Sequence, residues 1–88
     1  MPTISMFYGI VISMYWEKEG QHHSPHFHAR YAGEKAEFDF SGEIIAGSFP
    51  MKQAAIVKAW ALIHQEELQA DWELAMQDEL PFRIDPLK

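Results

Sequence analysis

The first part of the chain alternates between apolar and other side chains. Apolar residues occupy every second position from Ile4 to Trp16, and Gly9 interrupts the run. A period of two is typical of a half-buried β-strand, and a glycine inside such a run favours a bulge or a bend. We therefore expect one strand, or a broken pair of strands, within residues 3–16.

Three further short strands are predicted, with turns between them. The aromatic-rich segment His26–Tyr31 predicts the second strand, and Pro25 suits the first position of that strand, where its missing N–H costs nothing if the position is unpaired. Residues 35–40 alternate cleanly and predict the third strand, while residues 43–46 predict a short fourth. Strands joined by tight turns pair antiparallel. The pattern therefore predicts a small, curved antiparallel β-meander of three to five strands.

The pattern becomes helical after Pro50. Ser48 can cap a helix and Pro50 suits its first turn, and neither Gly nor Pro recurs before Pro81. Periodicity leaves open whether residues 51–78 form one helix or two helices separated near Gln65. Apolar positions recur at steps of three and four in one stripe, made of Ile56, Val57, Trp60, Ile63, His64, Leu68, Trp72 and Ala75.

Together these elements predict a single α+β domain. We expect residues 1–47 to form the sheet, residues 48–80 to form a helix or helix pair packed on one face, and residues 81–88 to form an extended tail. A chain of 88 residues has a small core, which a metal ion or a second subunit would stabilise. Disulfides and thiolate metal sites are excluded, because the chain has no cysteine.

The net charge limits the classes of partner. The formal charge is −6 at pH 7, and the seven Lys and Arg residues are scattered, which disfavours direct binding to DNA. The longest apolar run, residues 4–16, is too short to cross a bilayer and has no basic segment before it, as a signal peptide would. We therefore expect a cytoplasmic protein without a membrane segment.

Four of the five histidines fall within seven residues, as His22, His23, His26 and His28. His26 and His28 are two positions apart on a predicted strand, so both side chains project from one face. Imidazole ligands, with or without a carboxylate, suit zinc or another divalent transition metal. The cluster therefore predicts a candidate metal site, in which His22 or His23 would approach from the preceding loop.

Other residues would complete such a site. Glu34 or Glu37 would add an oxygen ligand, and His64 would add a third imidazole if the helix lies across the same face of the sheet. The alternative is architectural, since a histidine on a strand packs well and its ring N–H can donate to a backbone carbonyl. His64, which lies in the apolar stripe, fits that alternative too.

The distal part of the helical region predicts an interaction surface. A helix of ~14 residues is about 21 Å long, which matches a strand of five or six residues, so the residues beyond about 65 would outrun the sheet. Leu68 and Trp72 would then be exposed, and exposed side chains of this kind mark interfaces. We therefore expect Leu68, Trp72, Met76 and Phe82 to contact a second copy of the chain or another protein.

The chain contains the segments Met1-Pro2-Thr3-Ile4-Ser5, Phe7-Tyr8-Gly9-Ile10, Pro25-His26-Phe27-His28-Ala29, Ala59-Trp60-Ala61, His64-Gln65-Glu66-Glu67-Leu68 and Asp71-Trp72. These segments resemble one bacterial family, the domain-of-unknown-function 4160 family, and the likeness runs from about residue 1 to 86. Such proteins are often encoded beside a small protein of the domain-of-unknown-function 2442 family, in a layout similar to toxin–antitoxin pairs. The resemblance therefore implies a module that binds an operon-encoded partner, or a toxin.

Three functions follow as hypotheses. The first is a protein-interaction module that forms a homo-oligomer or acts as one half of a two-gene pair. The second is a protein that binds zinc or a similar ion through the His26-x-His28 cluster. The third is an RNA-acting toxin with His26, His28 and Arg30 at its site and Lys35 on phosphate. The sequence identifies no catalytic residue and does not decide whether the protein is an enzyme.

Overall fold

Among the residues that the structure describes, five antiparallel strands and two helices form the fold. The computed structural model describes residues 2–16 and 24–88. The strands lie in the sheet in sequence order, each antiparallel to the next. The predicted α+β meander followed by a helix pair is therefore confirmed. The strands are β1 (Thr3–Phe7), β2 (Ile10–Ser13), β3 (His26–Tyr31), β4 (Glu34–Asp39) and β5 (Ile44–Gly47), and the helices are α1 (Met51–Ile63) and α2 (Gln65–Met76).

Two tight turns determine which residues pair across the sheet. Tyr8 and Gly9 form the loop between β1 and β2, and Ala32 and Gly33 form the loop between β3 and β4. All four residues have positive φ angles, of 50°, 78°, 48° and 85° in that order, as in a type I′ turn. The first predicted strand is thus a pair of strands. Gly9 turns the chain instead of forming a bulge, and the irregularity of β1 lies near its start.

Aromatic packing between α1 and one face of the sheet forms the core. Phe27 and Phe38 are cross-strand neighbours whose rings stack with centroids 5.5 Å apart. Trp60 of α1 packs against Phe27 edge to face at 5.6 Å, and both side chains are fully buried. Because side chains alternate along a strand, α1 covers the Phe27 face and leaves the other face of β3 to different neighbours.

The helical region is divided at His64. Its φ and ψ angles, −111° and 34°, depart from helical values, although its carbonyl still accepts the N–H of Leu68 at 2.9 Å. The side-chain amide of Gln65 donates to the carbonyl of Ala61 at 2.8 Å and also to that of Phe40. The bend is thus tied to the end of β4. The structure resolves the open alternative in favour of two helices.

After the bend, α2 packs on the chain's own sheet. Leu68 is fully buried and Trp72 is only 2% exposed. The ring of Trp72 lies 5.3 Å from that of His26, 5.4 Å from that of Trp16 and 6.2 Å from that of Phe40. All three partners lie at the end of the sheet where β2 and β4 stop and β3 begins. The expectation that Leu68 and Trp72 are exposed is therefore wrong, because α2 covers this end of the sheet.

The exposed and buried positions of the helices differ from the predicted stripe in two further places. Ile63 is 65% exposed, because α1 ends there, whereas the charged residue Asp71 is buried. Met76 and Phe82, the other two predicted interface residues, are exposed.

Neither helix in the part of the chain that the structure describes has the length and apolar character needed to cross a bilayer.

The C-terminal residues return along the sheet without forming a helix or strand. The N–H of Ile84 donates to the carbonyl of Ile4 at 2.7 Å, and Nε1 of Trp60 donates to the carbonyl of Asp85 at 2.8 Å. Ile84 is buried by this arrangement. The tail thereby occupies one carbonyl of the edge strand β1, that of Ile4, to which another chain would otherwise be able to bond.

Replacing Trp72 should therefore destabilise the folded monomer. We expect Trp72→Ala to lower the free energy of unfolding by about 3–5 kcal/mol, as for other buried aromatic residues. Phe82→Ala, which truncates an exposed aromatic residue, should stay within about 0.5 kcal/mol of wild type. Urea denaturation of the three proteins measures both effects. Equal stability of Trp72→Ala and wild type would contradict the packing of α2 on the sheet.

Asp71 connects α2 to the C-terminal tail and has an unusual environment. Its Oδ1 accepts the N–H of Phe82 at 2.8 Å, while its Oδ2 is buried and has no hydrogen-bond donor among the described residues. Burial raises the pKa of the Asp71 carboxyl, the hydrogen bond from Phe82 opposes that rise, and the charge of Glu67 adds to it. Folding therefore favours the protonated form of this side chain.

The pH dependence of stability should report this environment. Because the pKa is higher in the folded state, acidification from about pH 7 towards pH 4 favours folding through Asp71. Asparagine does not titrate, so the stability of wild type relative to Asp71→Asn should increase as the pH falls. Urea denaturation of both proteins across this range measures the difference. A difference that stays constant, or that moves the other way, would show that Asp71 is not perturbed by burial.

Candidate metal centre

Three side chains of β3 and β4 converge beside the end of the sheet that α2 covers. His26 and His28 project from the same face of β3, and Glu37 of β4 is the direct cross-strand neighbour of His28. One ligand atom from each residue lies within 4.8 Å of those of the other two. Two imidazoles and one carboxylate in this arrangement could hold a metal ion.

The backbone determines which nitrogen of His26 faces the group. Its Nδ1 lies 2.8 Å from the carbonyl oxygen of Ser24. A carbonyl only accepts, so the ring N–H is at Nδ1 and, in the neutral ring, Nε2 carries the lone pair. Nε2 lies 3.6 Å from Oε1 of Glu37. Histidines that bind metals are oriented by the same kind of bond from the other ring nitrogen.

Aromatic neighbours fix the positions of both imidazoles. His26 is 1% exposed and packs against Trp72 of α2. The ring of His28 stacks on that of Tyr15, with centroids 4.5 Å apart and planes 10° apart. The two imidazoles meet edge to face at 5.2 Å. Side chains confined by packing in this way need little reorganisation to bind a ligand.

The group is accessible from one side, through a groove on the face of the sheet opposite α1. The groove has a volume of about 380 Å³. His28 and Glu37 line it, whereas His26 lies behind them in the interior. Other polar side chains on its walls are those of Ser13, Tyr15, Arg30 and Lys35.

His64 does not meet this group. Its Nδ1 lies 2.7 Å from Oε1 of Glu67, one turn further along α2. Its ring packs on that of Trp60 at 5.5 Å, and Trp60 belongs to the core on the opposite face from His28. The expected meeting of His64 with His26 and His28 is therefore not formed, because the bend leaves His64 beside α1.

The remaining candidate ligands are His22, His23 and Glu34. His22 and His23 lie outside the described residues, so their participation stays a prediction. Glu34 is exposed beside the turn and is not part of the group, which contains Glu37. Turn length is the sequence signal that would have chosen between the two carboxylates. Counting outward from a two-residue turn at Ala32–Gly33 brings Glu37 directly opposite His28.

The group lies within a region that matches a known family. The model described as "Domain of unknown function (DUF4160)" matches residues 9–73, which is most of the chain. The chain belongs to this family. The DUF4160 match includes all of β2 to β5 and α1 and most of α2, and with them His26, His28 and Glu37. No curated protein and no solved structure matches the chain. The function of this DUF4160 member has to be inferred from its own geometry.

Proposed function

We propose that this chain binds a divalent transition metal ion, with zinc as the first candidate, through His26, His28 and Glu37. One observation supports the proposal: the three ligand atoms lie within 4.8 Å of one another on adjacent strands. Two imidazoles and one carboxylate are a common ligand set for zinc and for non-haem iron. Nε2 of His26, a ring nitrogen of His28 and a carboxylate oxygen of Glu37 would be the donor atoms.

One pair of donor atoms, from His26 and Glu37, has nearly the spacing that an ion needs, and the His28 donor lies within 4.8 Å of both. Ligands placed tetrahedrally around zinc at about 2.0–2.1 Å lie about 3.4 Å from one another. The distance of 3.6 Å between Nε2 of His26 and Oε1 of Glu37 is near this value. Small side-chain movements would therefore complete the coordination. With three protein ligands, a fourth position would remain open towards the groove.

Electrostatics at the buried side of the group also favours a cation. When His26 is neutral, its Nε2 lone pair and the carboxylate of Glu37 are both acceptors, and acceptors that face each other repel. A metal ion between them converts this repulsion into two attractive contacts. A proton on Nε2 would do the same. Metal binding and protonation are therefore the two alternatives that an experiment has to separate.

Zinc titration of untagged, metal-free protein separates them. We expect isothermal titration calorimetry to show one zinc ion per chain and thermal denaturation to show a higher midpoint with zinc present. His28→Gln and Glu37→Gln change partly exposed side chains and should each weaken binding more than about tenfold, or 1.4 kcal/mol.

The matched control is His64→Gln, which removes an imidazole outside the group. It should bind zinc as wild type does. Failure of wild type to bind zinc, or equal binding by wild type and Glu37→Gln, would contradict the proposed centre. An equal loss in His64→Gln would contradict it as well.

Protein association is a second proposed function, and exposed apolar side chains near the end of α2 favour it. Leu80 is 80% exposed, Phe82 73% and Met76 44%. Large exposed apolar side chains are common at interfaces, and these three lie within seven residues of the sequence. We propose that Met76 and Phe82 contact a second copy of the chain or the operon-encoded partner that the family resemblance implies.

Analytical ultracentrifugation tests the homo-oligomeric form of this proposal. Wild type should form a species larger than a monomer, and Phe82→Ser should shift the distribution towards the monomer. Met51→Ser, which removes an 89% exposed apolar side chain from the start of α1, is the matched control and should leave the distribution unchanged. A monomeric wild type would exclude self-association through this surface.

A further inference from the structure

The groove in front of the proposed metal centre carries two cationic side chains. Arg30 and Lys35 line it together with His28 and Glu37. Arg30 is two residues beyond His28 on β3, and Lys35 is two residues before Glu37 on β4, so all four project from one face. Arg30 and Lys35 are therefore the next cross-strand pair along the same face of the hairpin.

The cross-strand pairing of Arg30 and Lys35 brings two like charges together on one exposed face. Like charges directly opposite each other destabilise an antiparallel pair. Within residues 2–16 and 24–88, neither side chain forms an ion pair with an acidic residue. The pair is also a local concentration of positive charge in a chain whose formal net charge is −6. An anion bound between the two side chains would relieve their repulsion.

We infer that the groove binds the phosphoryl group of a small phosphate ester. This inference rests on the proposed metal centre, whose open position would take one phosphate oxygen while Arg30 and Lys35 donate to the other two. Residues two apart on a strand are about 7 Å apart, a distance that the long side chains of Arg and Lys can span. The three terminal oxygens of a phosphate monoester match these three partners, whereas a carboxylate has only two oxygens.

The size and charge of the groove favour a small molecule over nucleic acid. Its volume of about 380 Å³ falls within the range of small-molecule sites, about 300–1,000 Å³. A polynucleotide would need cations along its length, but the seven Lys and Arg residues are scattered in an acidic chain. The two cations Arg30 and Lys35, together with one metal ion, provide enough positive charge for a single phosphoryl group.

A manganese experiment tests this inference separately from metal binding itself. Electron paramagnetic resonance with Mn²⁺ alone first measures metal binding. The double variant Arg30→Gln/Lys35→Gln should bind Mn²⁺ at least as well as wild type, because neither residue is a proposed ligand. If wild type binds zinc but no Mn²⁺ at this stage, the inference is overturned and the proposed zinc centre stands. If wild type binds neither ion, both proposals are overturned.

Phosphorus NMR of inorganic phosphate then reports phosphate beside the bound ion. With protein in excess over Mn²⁺, wild type should broaden the phosphate resonance, and Arg30→Gln/Lys35→Gln should need at least about tenfold more phosphate for the same broadening. The matched control is Lys52→Gln/Arg83→Gln, which removes two exposed cations outside the groove. It should broaden the resonance as wild type does.

Three results would overturn the inference. One is equal broadening by wild type and Arg30→Gln/Lys35→Gln. Another is an equal loss in Lys52→Gln/Arg83→Gln, which would show a general effect of charge. The third comes from a competition experiment, in which a nucleoside monophosphate and a single-stranded oligonucleotide each displace inorganic phosphate. At equal phosphate concentration, we expect the monophosphate to be at least as effective as the oligonucleotide. Stronger displacement by the oligonucleotide would assign the groove to nucleic acid instead.

Discussion

The register of the hairpin formed by β3 and β4 is the constraint on which the rest of the molecule depends. Because the turn at Ala32–Gly33 has two residues, Phe27 must lie opposite Phe38 and His28 opposite Glu37. A shift of one residue would exchange the two faces of a strand and place histidines in the core. The packing that buries the two phenylalanines therefore also holds the candidate ligands on the opposite face.

Trp72 connects this hairpin to the helices. Its indole contacts Phe40 and Trp16, and it also packs on the ring of His26. One buried side chain thus stabilises the fold and limits the movement of a candidate ligand. The chain bends at His64, where α1 ends and α2 begins, and this bend allows α2 to bring Trp72 against the hairpin. Stability and the geometry of the site are consequently not independent in this protein.

Sequence patterns located the elements because each pattern depends on neighbours along the chain. Periods of two and 3.6 need no tertiary information, so the strands, the helical region and the shared face of His26 and His28 were predictable. The direction of α2 was not, because it depends on contacts between residues far apart in the chain, such as those of Trp72 with His26 and Trp16. Leu68 and Trp72 were therefore expected at the surface. Identifying Glu37 rather than Glu34 as the third candidate ligand likewise required the length of the turn between β3 and β4.

The ring of His26 combines two features that are usually treated as alternatives. A histidine kept for packing donates its N–H to a backbone carbonyl, and Nδ1 of His26 does this with Ser24. A histidine kept for metal binding directs a nitrogen at other ligands, and Nε2 of His26 faces Glu37. The hydrogen bond from Nδ1 to Ser24 does not argue against metal binding, because it leaves the lone pair on Nε2, the tautomer that a metal ligand needs. His28 combines packing and proximity to Glu37 in the same way, because its ring stacks on Tyr15 while one of its nitrogens lies near the ligand atoms of the other two residues.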